Sequence, residues 1–351
     1  MNIWQLGRKK KSCALDLGQR WIKVVRLISK KNKLHLNRMG RMFLESDGPK
    51  AKENKELGLR NLCSSLLLQD KSMISSMAGP NVIIKNLDLP LNSKSKDMEQ
   101  AFLDQAQEYI PFDMQDVYLD FQILGPGQQE GTQNIILVAS KKEMVRDLQN
   151  ILAAAGLQAA IIDVDGFALS NCFEFNYPER KQEINYLLDI GHGHSVFCVY
   201  AQGGPIFVRD LDLGAQQLIE SLASTLEMTL LEAEKTQLTM PQDLHPTRQA
   251  HMAREKDKIF LKWGSEIQRL IDFYQSSAQK KSAAENLFLA GGGSLIPGLK
   301  SSLTNILELQ VHHIDPLRAL VWDNNSFDSV YLQSVAPQFA VAIGLALRRV
   351  T

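Results

Sequence analysis

The sequence has little that would mark a secreted, membrane-spanning or polyanion-binding protein. Four cysteines, Cys13, Cys63, Cys172 and Cys198, are scattered among mostly apolar neighbours with no C-x-x-C spacing. That pattern argues against a zinc site or a disulfide framework and for buried thiols in a reducing compartment. No apolar run approaches the ~20 residues of a membrane span; the nearest, Phe339 to Leu347, is interrupted by Gly344. Net charge is absent too: 39 Lys+Arg balance 39 Asp+Glu, so no overall field favours nucleic acid. No G-x-x-x-x-G-K-[ST] is present, which excludes a P-loop. The expectation is a soluble, intracellular chain without a nucleic-acid partner.

What is present is ordinary globular composition, 44% hydrophobic and 22% charged. At ~150 residues per domain, 351 residues imply two domains or one composite fold. Arg8 to Lys11 follow Ile3, Trp4 and Leu6 instead of preceding them, unlike a secretory signal. They read as a frayed tail, or as a weak membrane-surface contact.

Along the chain, Ser12 to Leu17 and Trp21 to Ile28 read as a hairpin bent at Gly18. An amphipathic helix carrying Leu59, Leu62, Leu66 and Leu67 follows. Gly79-Pro80 separates strands at Met73 to Ala78 and Val82 to Leu87. A helix is expected from about Lys96 to Tyr109, with Met98, Phe102 and Ala106 on one face and Pro111 as its stop. Strands at Val117 to Leu124 and Ile135 to Ala139, a helix from Lys141 to Ala155 and a strand at Ala160 to Val164 complete a compact α+β insertion. Three strands follow at Tyr186 to Ile190, Ser195 to Tyr200 and Ile206 to Leu211. In the helical block beyond them, Phe260, Trp263, Ile267, Leu270, Ile271 and Tyr274 keep the spacing of a one-sided core helix. A strand at Leu287 to Ala290, a helix from Pro297 to Leu307 and an apolar helix from Val335 to Arg349 close the chain.

One repeat carries chemistry. Ala14-Leu15-Asp16-Leu17-Gly18 is echoed by Leu187-Leu188-Asp189-Ile190-Gly191, about half the chain later. Each copy is an apolar strand ending in Asp-x-Gly at a tight turn. A carboxylate there is costly to desolvate without a cation or donors, and the glycine lets backbone N–H groups approach an anion. Two such hairpins facing across a cleft would clamp a phosphate chain and its Mg²⁺. One Asp-x-Gly alone is an ordinary Asx-type turn; two copies plus the glycine-rich turn Gly291 to Gly298 favour nucleotide binding.

With these motifs the sequence resembles the actin/hexokinase-type ATPases and, within them, the PilM family of type IV pilus assembly proteins. The resemblance rests on the Asp16 hairpin with Ile22-Lys23-Val24-Val25; on Gln107 to Phe112, running on to Leu119-Asp120-Phe121-Gln122; on Val164 to Leu169; on Leu188 to Gly191; and on Leu289 to Gly292 with Ile296 to Leu299. The Tyr-Ile-Pro-Phe run is the most specific. The resemblance implies an α/β, actin-like (ribonuclease H-like) two-lobed fold with an inserted α+β subdomain in the first lobe. The division would be 1–79, completed by 159–184 and 329–351; the insertion 80–158; 185–215, completed by 285–328; and a helical subdomain 216–284.

The same resemblance implies ATP and Mg²⁺ between the lobes, with Asp16 and Asp189 ordering the metal through water. Gly18, Gly191 and Gly214 would approach phosphate, with Gln19 in the same first turn. Gly292 and Gly293 would flank the adenosine, Glu234 would reach the ribose, and Asp165, in the connecting segment, would orient an attacking water. It implies an adaptor, peripheral on the cytoplasmic face of the bacterial inner membrane, whose membrane contact is mostly indirect. The adaptor would dock the short cytoplasmic tail of a bitopic PilN-like protein and meet other motor components, with homo-oligomerisation left open. Tyr109, Pro111 and Phe112 are the candidate docking rim, or subdomain packing.

The sequence also departs from the family pattern. Gln19, Arg20 and Trp21 replace small or hydroxyl residues, His192 to Ser195 replace Ala and Thr, and Gln237 stands where a lysine is usual. A scaffold that binds without hydrolysing therefore remains an alternative, as does a small-molecule kinase. His192, His194 and the pair His312-His313 are the only histidine clusters, and turn polarity or phosphate contact is the favoured reading over metal.

Overall fold

The computed structural model describes residues 11–45, 50–79, 82–90, 102, 106–127, 129–239, 245–277 and 284–350. The chain opens with β1 (Lys11–Leu17), β2 (Trp21–Lys30) and β3 (Lys33–Phe43), an antiparallel meander, followed by α1 (Ala51–Ser65) and β4 (Ser72–Met77). The insertion contributes β5 (Val82–Pro90), β6 (Val117–Pro126), β7 (Thr132–Lys141) and α2 (Lys142–Ala154) before β8 (Gln158–Val164) returns to the first sheet. The second half repeats the plan. After α3 (Asp165–Asn176) come β9 (Asn185–Ile190), β10 (Ser195–Ala201) and β11 (Gly204–Leu211), then α4 (Ala215–Thr225), α5 (Leu230–Gln237) and α6 (Pro246–Ser277). The chain ends with β12 (Asn286–Ala290), α7 (Leu299–Leu307), β13 (Gln310–His313), α8 (Ser329–Val335) and α9 (Ala340–Leu347).

The two large sheets have one topology. The first runs β3-β2-β1-β4-β8 and the second β11-β10-β9-β12-β13. In each, the leading strand is antiparallel to its hairpin partner and parallel to the strand on its other side. The Asp-x-Gly turns therefore sit at equivalent ends of equivalent strands. The insertion forms its own sheet, β5-β7-β6, over a small core that includes Phe102, Ala106 and Ile110. Phe102 meets Phe121 with ring centroids 4.5 Å apart. Of the expected helix from Lys96, only Phe102 and residues 106–109 fall among the described residues; Met98 lies outside them, as do Trp4 and Arg8.

The lobes share a core. α3 packs between the sheets, contacting strands of both, and α9 packs against α3 and the first sheet. They cross at Gly344, where a Cβ would stand 1.7 Å from the Ala168 carbonyl oxygen, so only glycine permits this approach. A second core gathers around α6, where Phe260, Trp263, Ile267, Ile271 and Tyr274 are buried, as their spacing predicts. All four cysteines are buried free thiols; burial pushes Cys13 up to about 12 and Cys63 up to about 11, which makes them unreactive.

Two expectations need correction. The closing helix is not continuous: a 3₁₀ turn at Ala336–Phe339 separates α8 from α9, because Pro337 lacks the N–H an α-helix needs there. The stretch Ser329–Leu347 is nonetheless 19 residues long and apolar enough for a span by composition, yet 78% of its apolar window is buried in the interior. Pro297 lies outside α7, which starts at Leu299 after Gly298 with φ 91°. Asp165, expected in the connecting segment, is the first residue of α3, directly after β8.

Candidate functional site

Hairpin register builds the first half of the site. The β1–β2 pairing sets Asp16 opposite Lys23, and the ammonium lies 2.6 Å from the carboxylate. In the second hairpin the same position opposite Asp189 is Val196. The turn after Asp189 is locked by backbone bonds: Gly191 N–H donates to the His194 carbonyl at 3.0 Å. Ala215 and Gln216 N–H groups donate to the Gly191 and His192 carbonyls at 3.1 and 2.8 Å. These bonds seat the start of α4 on the turn, and a Cβ at Gly214 would fall 2.3 Å from the His192 carbonyl oxygen.

Between the lobes lies a cavity of about 500 Å³, in the range of small-ligand sites. Asp16, Lys23, Asp165 and Asp189 converge in it. Desolvation lifts both Asp165 and Asp189 to about 7. For Asp165 the neighbouring Asp16 and Asp189 charges add to this, against a hydrogen bond from Ser76. For Asp189, Lys23 opposes the rise and Asp16 adds to it. Burial works against the Lys23 ammonium, but the charges of Asp16, Asp189 and Asp165 outweigh it and hold its pKa above the usual lysine value. A cluster of three carboxylates and one ammonium, with two carboxyls poised near neutrality, can hold or release a proton.

The expected site residues mostly come together. Asp16, Gly18, Gln19, Asp165, Asp189, Gly191, Glu234, Gly292 and Gly293 all line the cavity, whereas Gly214 stands behind the second turn. Gly292 has nothing within 4 Å of a would-be Cβ, so its face is open, while Gly293 is packed against Ile190. Glu234 is engaged by Arg20, at 2.5–3.0 Å, across the cleft. His192 and His194 also line the cavity, and among the described residues no group of three or more ligands is arranged for a metal. His312 contacts Asn286, and His313 the Ser294 carbonyl in the glycine-rich turn.

Tyr109, Pro111 and Phe112 are not at the cleft. Tyr109 is 44% exposed; Phe112 is half-buried in the insertion core, with the Lys141 ammonium 4.2 Å from its ring centroid. The insertion is tied to the second lobe: Arg209 donates to the Ile84 carbonyl and Asn86 to the Ile206 carbonyl, while Gly79 N–H, just before the insertion, donates to Asp210.

Sequence reading missed Lys23, Arg41, Ser334, Val335 and Gln338, which also line the cavity. Lys23 carries a signal, a cation in a mostly apolar strand in register with Asp16. Arg41, stacked over Trp21 at 4.3 Å and hydrogen-bonded to Gln338, carries none.

Two lobes of one strand order, with aspartate hairpins facing a common cleft, make this an actin-like protein. The family described as type IV pilus assembly protein PilM matches residues 14–350, and the chain belongs to that family. The structure is similar to that of a "PilM-PilN type IV pilus biogenesis complex", with a TM-score of 0.85, 26% identity and coverage of 98% of this chain and 99% of that one. It is also similar to the ethanolamine utilization protein EutJ from Carboxydothermus hydrogenoformans, with a TM-score of 0.56, 13% identity and coverage of 97% and 92%. The second likeness speaks for the fold alone.

Proposed function

We propose that this chain is an ATP-binding adaptor of type IV pilus assembly that docks the short cytoplasmic tail of a bitopic inner-membrane protein. The observation that carries the nucleotide half is the convergence of Asp16, Asp165 and Asp189 on one interlobe cavity between two glycine turns. The residues fit Mg²⁺ with a polyphosphate. Asp16 and Asp189 offer oxygen atoms from opposite lobes, Lys23 and the turn backbones offer positive groups, and Gly292 leaves its face clear. When bound, Mg²⁺ supplies charge neutralisation on the phosphates. Asp165, near its titration point, would take the proton of a water it orients. Lobe closure over the ligand would then set the adaptor's state.

The partner half rests on the similar PilM-PilN complex and on the exposed Tyr109 and Pro111 at the insertion. Such a partner would hold the chain at the cytoplasmic face of the membrane. Binding without hydrolysis is the second reading, favoured by the Arg20–Glu234 pair and by Gln19 against Gly193, both of which narrow the cleft.

Thermal unfolding with and without MgATP tests the clamp. A ligand at 100 times its Kd adds about 2.7 kcal/mol to stability, and Asp16→Ala should abolish the shift. An unchanged melting temperature in the wild-type chain would overturn the nucleotide reading, while peptide titration tests the partner separately.

A further inference from the structure

An ion pair joins the cavity's two walls. Arg20, in the turn of the first hairpin, places Nε 3.0 Å from both carboxylate oxygens of Glu234 and Nη2 2.5 Å from Oε2. Both side chains are nearly buried, 11% and 12% exposed. The guanidinium lies 4.6 Å from the centroid of the Phe43 ring, which fixes its plane. Beside it, a Cβ on Gly193 would stand 2.2 Å from Gln19 Oε1, so the two turns touch across the cleft.

Arg20 follows Gly18 by two residues and lines the same cavity. Its planar fork suits a carboxylate and a phosphate equally. A polyphosphate carries more negative charge than one carboxylate and presents more acceptor oxygens. It would therefore compete for a guanidinium that is largely withdrawn from solvent.

We propose that Arg20 is a phosphate-binding residue of this cleft, held by Glu234 until a polyphosphate displaces the carboxylate. The proposal rests on the nucleotide reading and adds the phosphate chain as the part of the ligand that opens the interlobe latch. Glu234, once released, is free to accept hydrogen bonds from ligand hydroxyls on its own side of the cleft.

Magnesium tripolyphosphate separates these roles, because it has phosphates and no sugar. Binding of MgATP and of magnesium tripolyphosphate is measured by calorimetry on the full chain and on Arg20→Met, Glu234→Gln and the double variant. Each variant is checked for cooperative unfolding. Arg20→Met should weaken both ligands about tenfold, the scale of one charge-assisted contact. Glu234→Gln should tighten tripolyphosphate about tenfold, because the competitor loses its charge. The double variant should match Arg20→Met. If Arg20→Met does not fold, Glu234→Gln alone decides: weaker or unchanged tripolyphosphate binding overturns the proposal. Wild-type binding of both ligands with Arg20→Met unaffected overturns this proposal and leaves the nucleotide reading standing. Binding of neither by the wild-type chain overturns both.

Discussion

Asp16 and Lys23 face each other across the first hairpin with their charged atoms 2.6 Å apart, whereas Val196 occupies the matching position opposite Asp189. The repeat is thus chemically asymmetric: one aspartate has its own cation in register and the other has an apolar neighbour. Removing one member of a nearly buried pair leaves an uncompensated charge, which costs on the order of 3 kcal/mol. Lys23→Met should lower the urea midpoint accordingly. Asp16→Asn with Lys23→Met should be less damaging than the two single changes added together, as a double-mutant cycle would show. Strict additivity would mean that the pair contributes nothing.

The asymmetry also sets a pH dependence. The carboxyls of Asp165 and Asp189 are raised to about 7 in the folded chain, so between about pH 4 and 7 the folded state holds protons the unfolded state has lost. Stability therefore falls as pH rises through that window and levels off above it. Asp189→Asn removes that group's share of the slope. Its stability relative to the wild type should grow from pH 5 to pH 7.5; a constant difference would mean Asp189 ionises as an ordinary carboxylate.

Cation binding reverses the shift. A divalent ion beside these carboxyls favours their charged forms, so loading MgATP at pH 6.5 should release protons, and at pH 8.5 release almost none. Calorimetry in buffers of different ionisation enthalpy reads this directly. Identical apparent enthalpies in all buffers at pH 6.5 would remove these two residues from the metal's surroundings.

How much of this was legible follows from where each signal sits. The Asp-x-Gly hairpins are local, so the repeat, both turns and the paired aspartates could be read from short stretches. Lys23 was readable in principle from hairpin register alone. β3 and β13 were not anticipated because they are edge strands in which polar residues such as Arg38, Arg41 and His312 interrupt the apolar pattern. The wall formed by Arg41, Ser334 and Gln338 joins segments almost 300 positions apart, and no periodicity reports that meeting. In sequence Arg20 reads either as a bulky residue that narrows the turn or as a partner for the anion; its partner Glu234 became visible only with the lobes in place.

Two glycines separate fold from site. A Cβ at Gly344 would strike the Ala168 backbone at 1.7 Å, so Gly344→Ala should cost about 3 kcal/mol by forcing α3 and α9 apart. Gly292 has open space and an ordinary helical φ of −67°. Gly292→Ala should therefore keep stability within about 0.5 kcal/mol while weakening MgATP roughly tenfold by filling the cavity edge. Equal affinity in the Gly292 variant would move the ligand away from that loop.

Tyr109 offers the cleanest probe of partner docking. Its ring is 44% exposed at the end of a helix in the insertion, whereas Phe112 packs on the insertion core beneath Lys141, so its loss would mix docking with unfolding. Tyr109→Ala should weaken binding of a peptide from the bitopic partner's tail about tenfold, the effect of removing one aromatic anchor, with an unchanged melting temperature. Tyr118, 53% exposed on β6, the terminal strand of the same small sheet, is the control. An effect of Tyr118→Ala alone would shift docking from the helix end to that strand edge, where an extended tail would add by backbone pairing.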